Sequence, residues 1–273
     1  MLYRLNEKDQ VINEARSEVI QRQYQPVIDS IASQCATRLT DNIRSIYVRG
    51  SVSVGRASPG ISDLDFVVVV FQEISANDRV FLSAKARELE IEFPFVTFID
   101  ITTVTVEQLL SSKEFANLAV YLKTQSFLIF GKDILLLLPE IHVGPMLAMR
   151  MYGNLEHELT EMRLVIENPE SNRTYLGEKK PVEFWCVWTM RVLLRSGLGL
   201  VMMKRPVYSQ DLETCYEIFA AENPALAGQM KQALTYAVSP ISDRKKLTAF
   251  LYEFVPEYIA LWNNLIKQYG KIN

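Results

Sequence analysis

Residues 63–71 read DLDFVVVVF, and an unbroken apolar run of that kind, rich in Val and bounded by polar turns, has to be a β-strand inside a sheet. Residues 45–49 (SIYVR) read as a second strand, and residues 50–59 between them as a turn and short helix. Side chains alternate along a strand, so Asp63 and Asp65 point to one face with Cα atoms roughly 6.5 Å apart. Two carboxylates on one face of an apolar strand repel each other and gain nothing from burial. They make sense around a divalent cation, and Mg²⁺ suits them because it takes one or two protein carboxylates and fills its shell with water and phosphate oxygens. Gly50 and Ser51 supply the complementary half. Glycine lets a backbone approach a phosphate, and a helix beginning at Ser51 would aim free N–H groups at the anion. The competing reading makes Asp63 and Asp65 ordinary acids at a strand end and Ser51 a helix N-cap.

The whole string, YVRGSVSVGRASPGISDLDFVVVV over residues 47–70, resembles the nucleotidyltransferase superfamily of the DNA polymerase β type. That family carries Gly-Ser, a gap of about ten residues, then Asp-x-Asp. The closer likeness is to small bacterial members, including aminoglycoside nucleotidyltransferases. The resemblance implies that Asp63 and Asp65 bind Mg²⁺ against the phosphates of an NTP, in the first place ATP, while Gly50, Ser51 and Arg56 hold the nucleotide. It also calls for a third carboxylate on a neighbouring strand. Asp100 is the candidate, since it interrupts the strand-like run 95–103 (FVTFIDITT) between Ile99 and Ile101, where an acid is costly without a partner. The expected catalytic and metal set is therefore Asp63, Asp65 and Asp100. Two ions would stabilise the attacking hydroxyl and the departing pyrophosphate. The acceptor stays open among a small hydroxylated molecule, a protein side chain and an RNA 3′ end. A non-catalytic nucleotide-binding or antitoxin-like module on the same fold is the rival reading.

Beyond the motif, apolar spacing over residues 11–20 and 27–39 predicts helix on both sides of Pro26, with a kink or a fresh start there. Residues 77–92 and 106–125 read as helices and 126–130 (SFLIF) as a last strand closed by Gly131. After residue 139 the strand signal stops. Residues 144–167, 181–203, 212–222, 225–237 and 242–269 read as helices, with 167–180 the longest polar loop. The fold class expected is α/β (α+β): a mixed-sheet nucleotidyltransferase domain with an N-terminal helix over 1–139, then an all-α helical-bundle domain over 140–273.

Charge and cysteine content narrow the partners. A net charge of −3 argues against binding long nucleic acid by phosphate neutralisation. Cys35, Cys186 and Cys215 are far apart and odd in number, as buried thiols of a reducing compartment would be. The beginning MLYRLNEKDQ lacks the apolar core of a signal peptide, and no run reaches ~18 apolar residues, so a cytoplasmic protein without membrane contact is expected.

Overall fold

The computed structural model describes residues 1–111, 116–171, 173–174 and 179–269. The chain divides into two compact units: Ile12–Ile141, and Met1–Val11 with His142–Asn273. The first is built on a mixed four-stranded sheet; the second is mostly helical.

In the sheet unit, β1 (Ile43–Arg49), β2 (Leu64–Val70), β3 (Ile99–Thr105) and β4 (Ser126–Gly131) lie in the order β3-β2-β1-β4. The β1–β2 and β1–β4 pairs are antiparallel, and β2–β3 is parallel. A parallel pair needs a crossover, which α2 (Ala76–Glu92) provides. Ser75 caps α2 by accepting the Asp78 N–H at 3.1 Å. The period of two sends alternate strand residues to two cores. Ile46, Val48, Leu64, Phe66, Val68 and Val70 meet α1 (Gln25–Leu39) and α2 on one face. Tyr47, Val67, Val69 and Val104 meet α3 (Val106–Ser111) and α4 (Ala116–Gln125) on the other. Arg49, Asp65 and Asp100 have the parity of this second face and extend its rows.

Two expectations are corrected here. First, residues 11–20 form no α-helix. They run extended into short 3₁₀ turns at Ser17–Val19 and Arg22–Tyr24, and α1 starts with Pro26 in its first turn. The segment is instead tied to the turn after β1: the Arg16 N–H donates to the Ser53 carbonyl at 3.3 Å. A Cβ on Gly55 would come within 2.5 Å of the Val19 carbonyl oxygen. Second, no helix begins at Ser51. Residues 50–59 make turns, because Gly50 and Gly55 take φ of +78° and +72°, outside the helical region. The helix expected over 106–125 is described in two stretches, α3 and α4, and residues 112–115 between them lie outside the described residues.

In the helical unit the expected segments become α5 (Pro145–Tyr152), α6 (Leu155–Glu167), α7 (Val182–Met202), α8 (Leu212–Glu222), α9 (Ala227–Val238) and α10 (Arg244–Tyr269). Part of the polar stretch 167–180 lies outside the described residues. Helix α7 is the one described helix long and apolar enough to cross a membrane, although it contains no unbroken apolar run of that length. Its apolar character has a local explanation, since 67% of the relevant window is buried inside the protein. Gly199 lets the Tyr152 ring come to within 2.9 Å of where a Cβ would sit. Residues 1–11 are pinned to this unit by the Tyr3 N–H donating to the Tyr208 carbonyl at 3.0 Å. All three cysteines are free thiols and buried.

Candidate active site

The site is assembled by strand register. Arg49 on β1 faces Asp65 on β2, and Asp65 faces Asp100 on β3. On the outer side Arg49 also faces Ser126 of β4. Register partners share a face, so one row across the sheet carries a guanidinium and two carboxylates. The Arg49 guanidinium reaches both acids, with one nitrogen 3.5 Å from Asp65 Oδ2 and the other 3.7 Å from Asp100 Oδ2. Its carbon sits 5.5 Å from the centroid of the Tyr121 ring on α4. Asp63 lies two residues before Asp65, just outside β2, and the Thr97 hydroxyl donates to its Oδ1 at 2.9 Å.

Asp100 carries a strongly perturbed carboxyl. It is buried, and loss of hydration pushes its carboxyl up to about 6. The charge of Asp65 adds to the rise, and Asp63 contributes less; Arg49 and the Thr102 hydroxyl, which donates to Oδ2 at 3.1 Å, pull the other way. The second oxygen, Asp100 Oδ1, is buried with no hydrogen-bond partner among the described residues.

The turn after β1 closes the site from above the acids. Gly50 has φ +78°, and a Cβ there would stand 3.0 Å from Asp65 Oδ2. The glycine thus makes room for a carboxylate of the site as well as for whatever the turn binds. The turn is anchored at both ends. The Gly50 N–H donates to the Gln125 carbonyl at 3.1 Å, and the Arg56 N–H to the Ser51 carbonyl at 2.8 Å. The buried Ser53 hydroxyl lies 2.9 Å from the Gly50 carbonyl and 2.7 Å from that of Gln125. Between the anchors, the N–H groups of Ser51, Val52, Ser53 and Val54 have no hydrogen-bond partner among the described residues. Consecutive unpaired N–H groups in a turn form a concavity for an anion without any helix. Arg56, expected to hold phosphate, is exposed and pairs with Glu14 at 2.8 Å.

Among the described residues no three Asp, Glu, His or Cys side chains are gathered closely enough to hold a metal ion. Asp65 and Asp100 alone still fit a hard divalent cation. They are neighbouring carboxylates, and one buried oxygen is unsatisfied. Sequence reasoning did not find Arg49, Thr97 or Tyr121. Arg49 was visible as the last residue of an apolar strand, but only the β1–β2 register sets it against Asp65.

No family model matches the sequence, and no curated protein does. Among solved structures the chain is similar to spectinomycin adenyltransferase AAD(9) from Enterococcus faecialis, crystallised with ATP and spectinomycin. The two are 14% identical, and the match covers 85% of this chain and 99% of that one with a TM-score of 0.53. That likeness shows a shared fold. A toxin–antitoxin crystallised with AMP-PNP is also similar, at 20% identity over 49% of this chain and 94% of that one, with a TM-score of 0.28.

Proposed function

We propose that the protein is a Mg²⁺-dependent nucleotidyltransferase that moves an NMP, from ATP in the first instance, to a hydroxyl acceptor with release of pyrophosphate. The observation that carries this reading is the side-by-side pairing of Asp65 and Asp100 beneath the Gly50–Ser51 turn. Support for the fold comes from the adenyltransferase likeness, which leaves substrate and acceptor to the residues themselves.

Each group has a task in this reading. The free N–H groups of residues 51–54 and the Ser51 hydroxyl hold the outer phosphates, and Arg56 exchanges Glu14 for a phosphate at the turn's far side. Asp65 and Asp100 would hold Mg²⁺, with Asp63 as a further carboxylate at the entry to β2, and the ion when bound neutralises phosphate charge and favours the attacking oxygen. Asp100, beside the attacking oxygen in this arrangement, accepts the acceptor's proton. The acceptor oxygen forms a bond to the α-phosphorus, the bond from that phosphorus to the bridging oxygen breaks, and pyrophosphate leaves with the electron pair. A spectinomycin-like small molecule with hydroxyl groups is the first acceptor to try, because the similar adenyltransferase was crystallised with one.

The test is pyrophosphate release from the four NTPs, with Mg²⁺ and a panel of hydroxylated acceptors, by the wild type and Asp65→Asn. Acceptor-dependent release that disappears in Asp65→Asn is expected. Nucleotide binding without any release across the panel, unchanged by Asp65→Asn, would favour a binding module instead.

A further inference from the structure

The guanidinium of Arg49 sits where a cation is expected. Three strands contribute one residue each to a single row, so the side chain of Arg49 is aimed along the sheet at Asp65 and Asp100 together. It is only 18% exposed, held under the Tyr121 ring and within 3.5 and 3.7 Å of the two acids. A surface arginine would be hydrated and free to leave. This one is kept in the cleft.

The two contacts with the acids are also long. Charge-assisted N–H···O bonds close to about 2.7–2.9 Å when optimal. Arg49 stands well outside that range on both sides, and Asp100 Oδ1 keeps no hydrogen-bond partner among the described residues. The guanidinium neutralises the pair without satisfying it. Such an arrangement is displaceable.

Resting on the reading given under Proposed function, we propose that Arg49 is a positioning residue, the resident counter-cation of the Asp65–Asp100 pair. A divalent ion must displace it, so the metal enters together with the nucleotide and not ahead of it.

The physical reason is charge balance. With Asp63 counted, three carboxylates and one guanidinium sum to −2, and a bare divalent ion would cancel that charge while setting two cations against each other for the same oxygens. A metal–triphosphate complex arrives with excess negative charge. Arg49 then exchanges its carboxylates for phosphate oxygens, which its planar fork suits better than any lysine would. The chain geometry serves the exchange, since Arg49 immediately precedes Gly50 and the turn whose N–H groups are free. Metal and nucleotide are thereby coupled through one side chain.

The test measures Mn²⁺ binding to the full-length protein by the paramagnetic resonance of free Mn²⁺, with and without a non-hydrolysable ATP analogue. Wild type, Arg49→Gln, Arg49→Lys and Asp65→Asn are compared. Without nucleotide, Arg49→Gln should bind Mn²⁺ about tenfold more tightly than wild type, the scale expected when one partly screened unit charge is removed. Arg49→Lys should fall in between, because one ammonium cannot span both carboxylates. The analogue should tighten Mn²⁺ binding to wild type markedly more than to Arg49→Gln. Should Arg49→Gln fail to fold, Arg49→Lys carries the test, and an affinity equal to wild type overturns the proposal. If Arg49→Gln folds and binds Mn²⁺ no more tightly, while Asp65→Asn still loses the Mn²⁺–analogue complex, Arg49 is not the counter-cation and the nucleotidyltransferase reading stands. If no variant and not even wild type binds Mn²⁺ with the analogue present, both fall.

Discussion

Asp100 offers the sharpest measurement, because its cost to the metal-free fold follows from its surroundings. Its carboxyl is pushed from an ordinary 3.8 to about 6, so the folded state holds the proton more tightly than the unfolded chain. The associated stability is fully present below 3.8 and is lost as pH rises through about 6. At ~1.4 kcal/mol for each pH step, the ionised group costs the fold about 3 kcal/mol at neutral pH. The attraction to Arg49 and the bond from Thr102 are already counted within that position. Asp100→Asn cannot ionise. Relative to wild type, it should gain up to about 3 kcal/mol between pH 4 and pH 7.5 when divalent ions are chelated. Trp185, Trp188 and Trp262 all lie in the helical unit, so tryptophan fluorescence would report on the wrong part of the chain. Hydrogen exchange of β2 and β3 peptides, expressed as protection over intrinsic rates, reads the sheet directly. Equal protection differences at both pH values, or lower protection of the variant at pH 7.5, would refute the reasoning.

Two further outcomes follow from the turn. Gly50→Ala forces a side chain into a left-handed conformation and brings it to 3.0 Å from Asp65 Oδ2. The backbone term alone is about 1–2 kcal/mol, and titration calorimetry should find ATP binding sharply weakened. Ser53→Ala removes the buried hydroxyl between the Gly50 and Gln125 carbonyls. Protection of β1 and β4 amides should fall by about 1–3 kcal/mol, and turnover should drop without vanishing. Unchanged protection would mean that the turn holds without Ser53.

The amino-acid order determined whatever depends on near neighbours. DLDFVVVVF had to be a strand, and its alternation put Asp63 and Asp65 on one face before any partner strand was known. Helix α8 runs over 212–222, the residues expected, because Asp211 caps it and accepts the Thr214 N–H at 2.9 Å. Pro26 marked the first turn of α1. Local periodicity failed where distant chain competes for the same backbone groups. Residues 11–20 have helical apolar spacing, yet Arg16 bonds to Ser53 and Val19 packs beneath Gly55, contacts that an extended segment can make. Likewise Ser51 looks like a helix start until Gly55 turns left-handed four residues later. The site itself belongs to both levels. Its acids could be read from the sequence, but Arg49 could not, because a residue acquires a neighbour across a sheet only through register. Tertiary structure alone set Arg49 against Asp65 and Asp65 against Asp100, and so made a row of carboxylates with a cation already beside them.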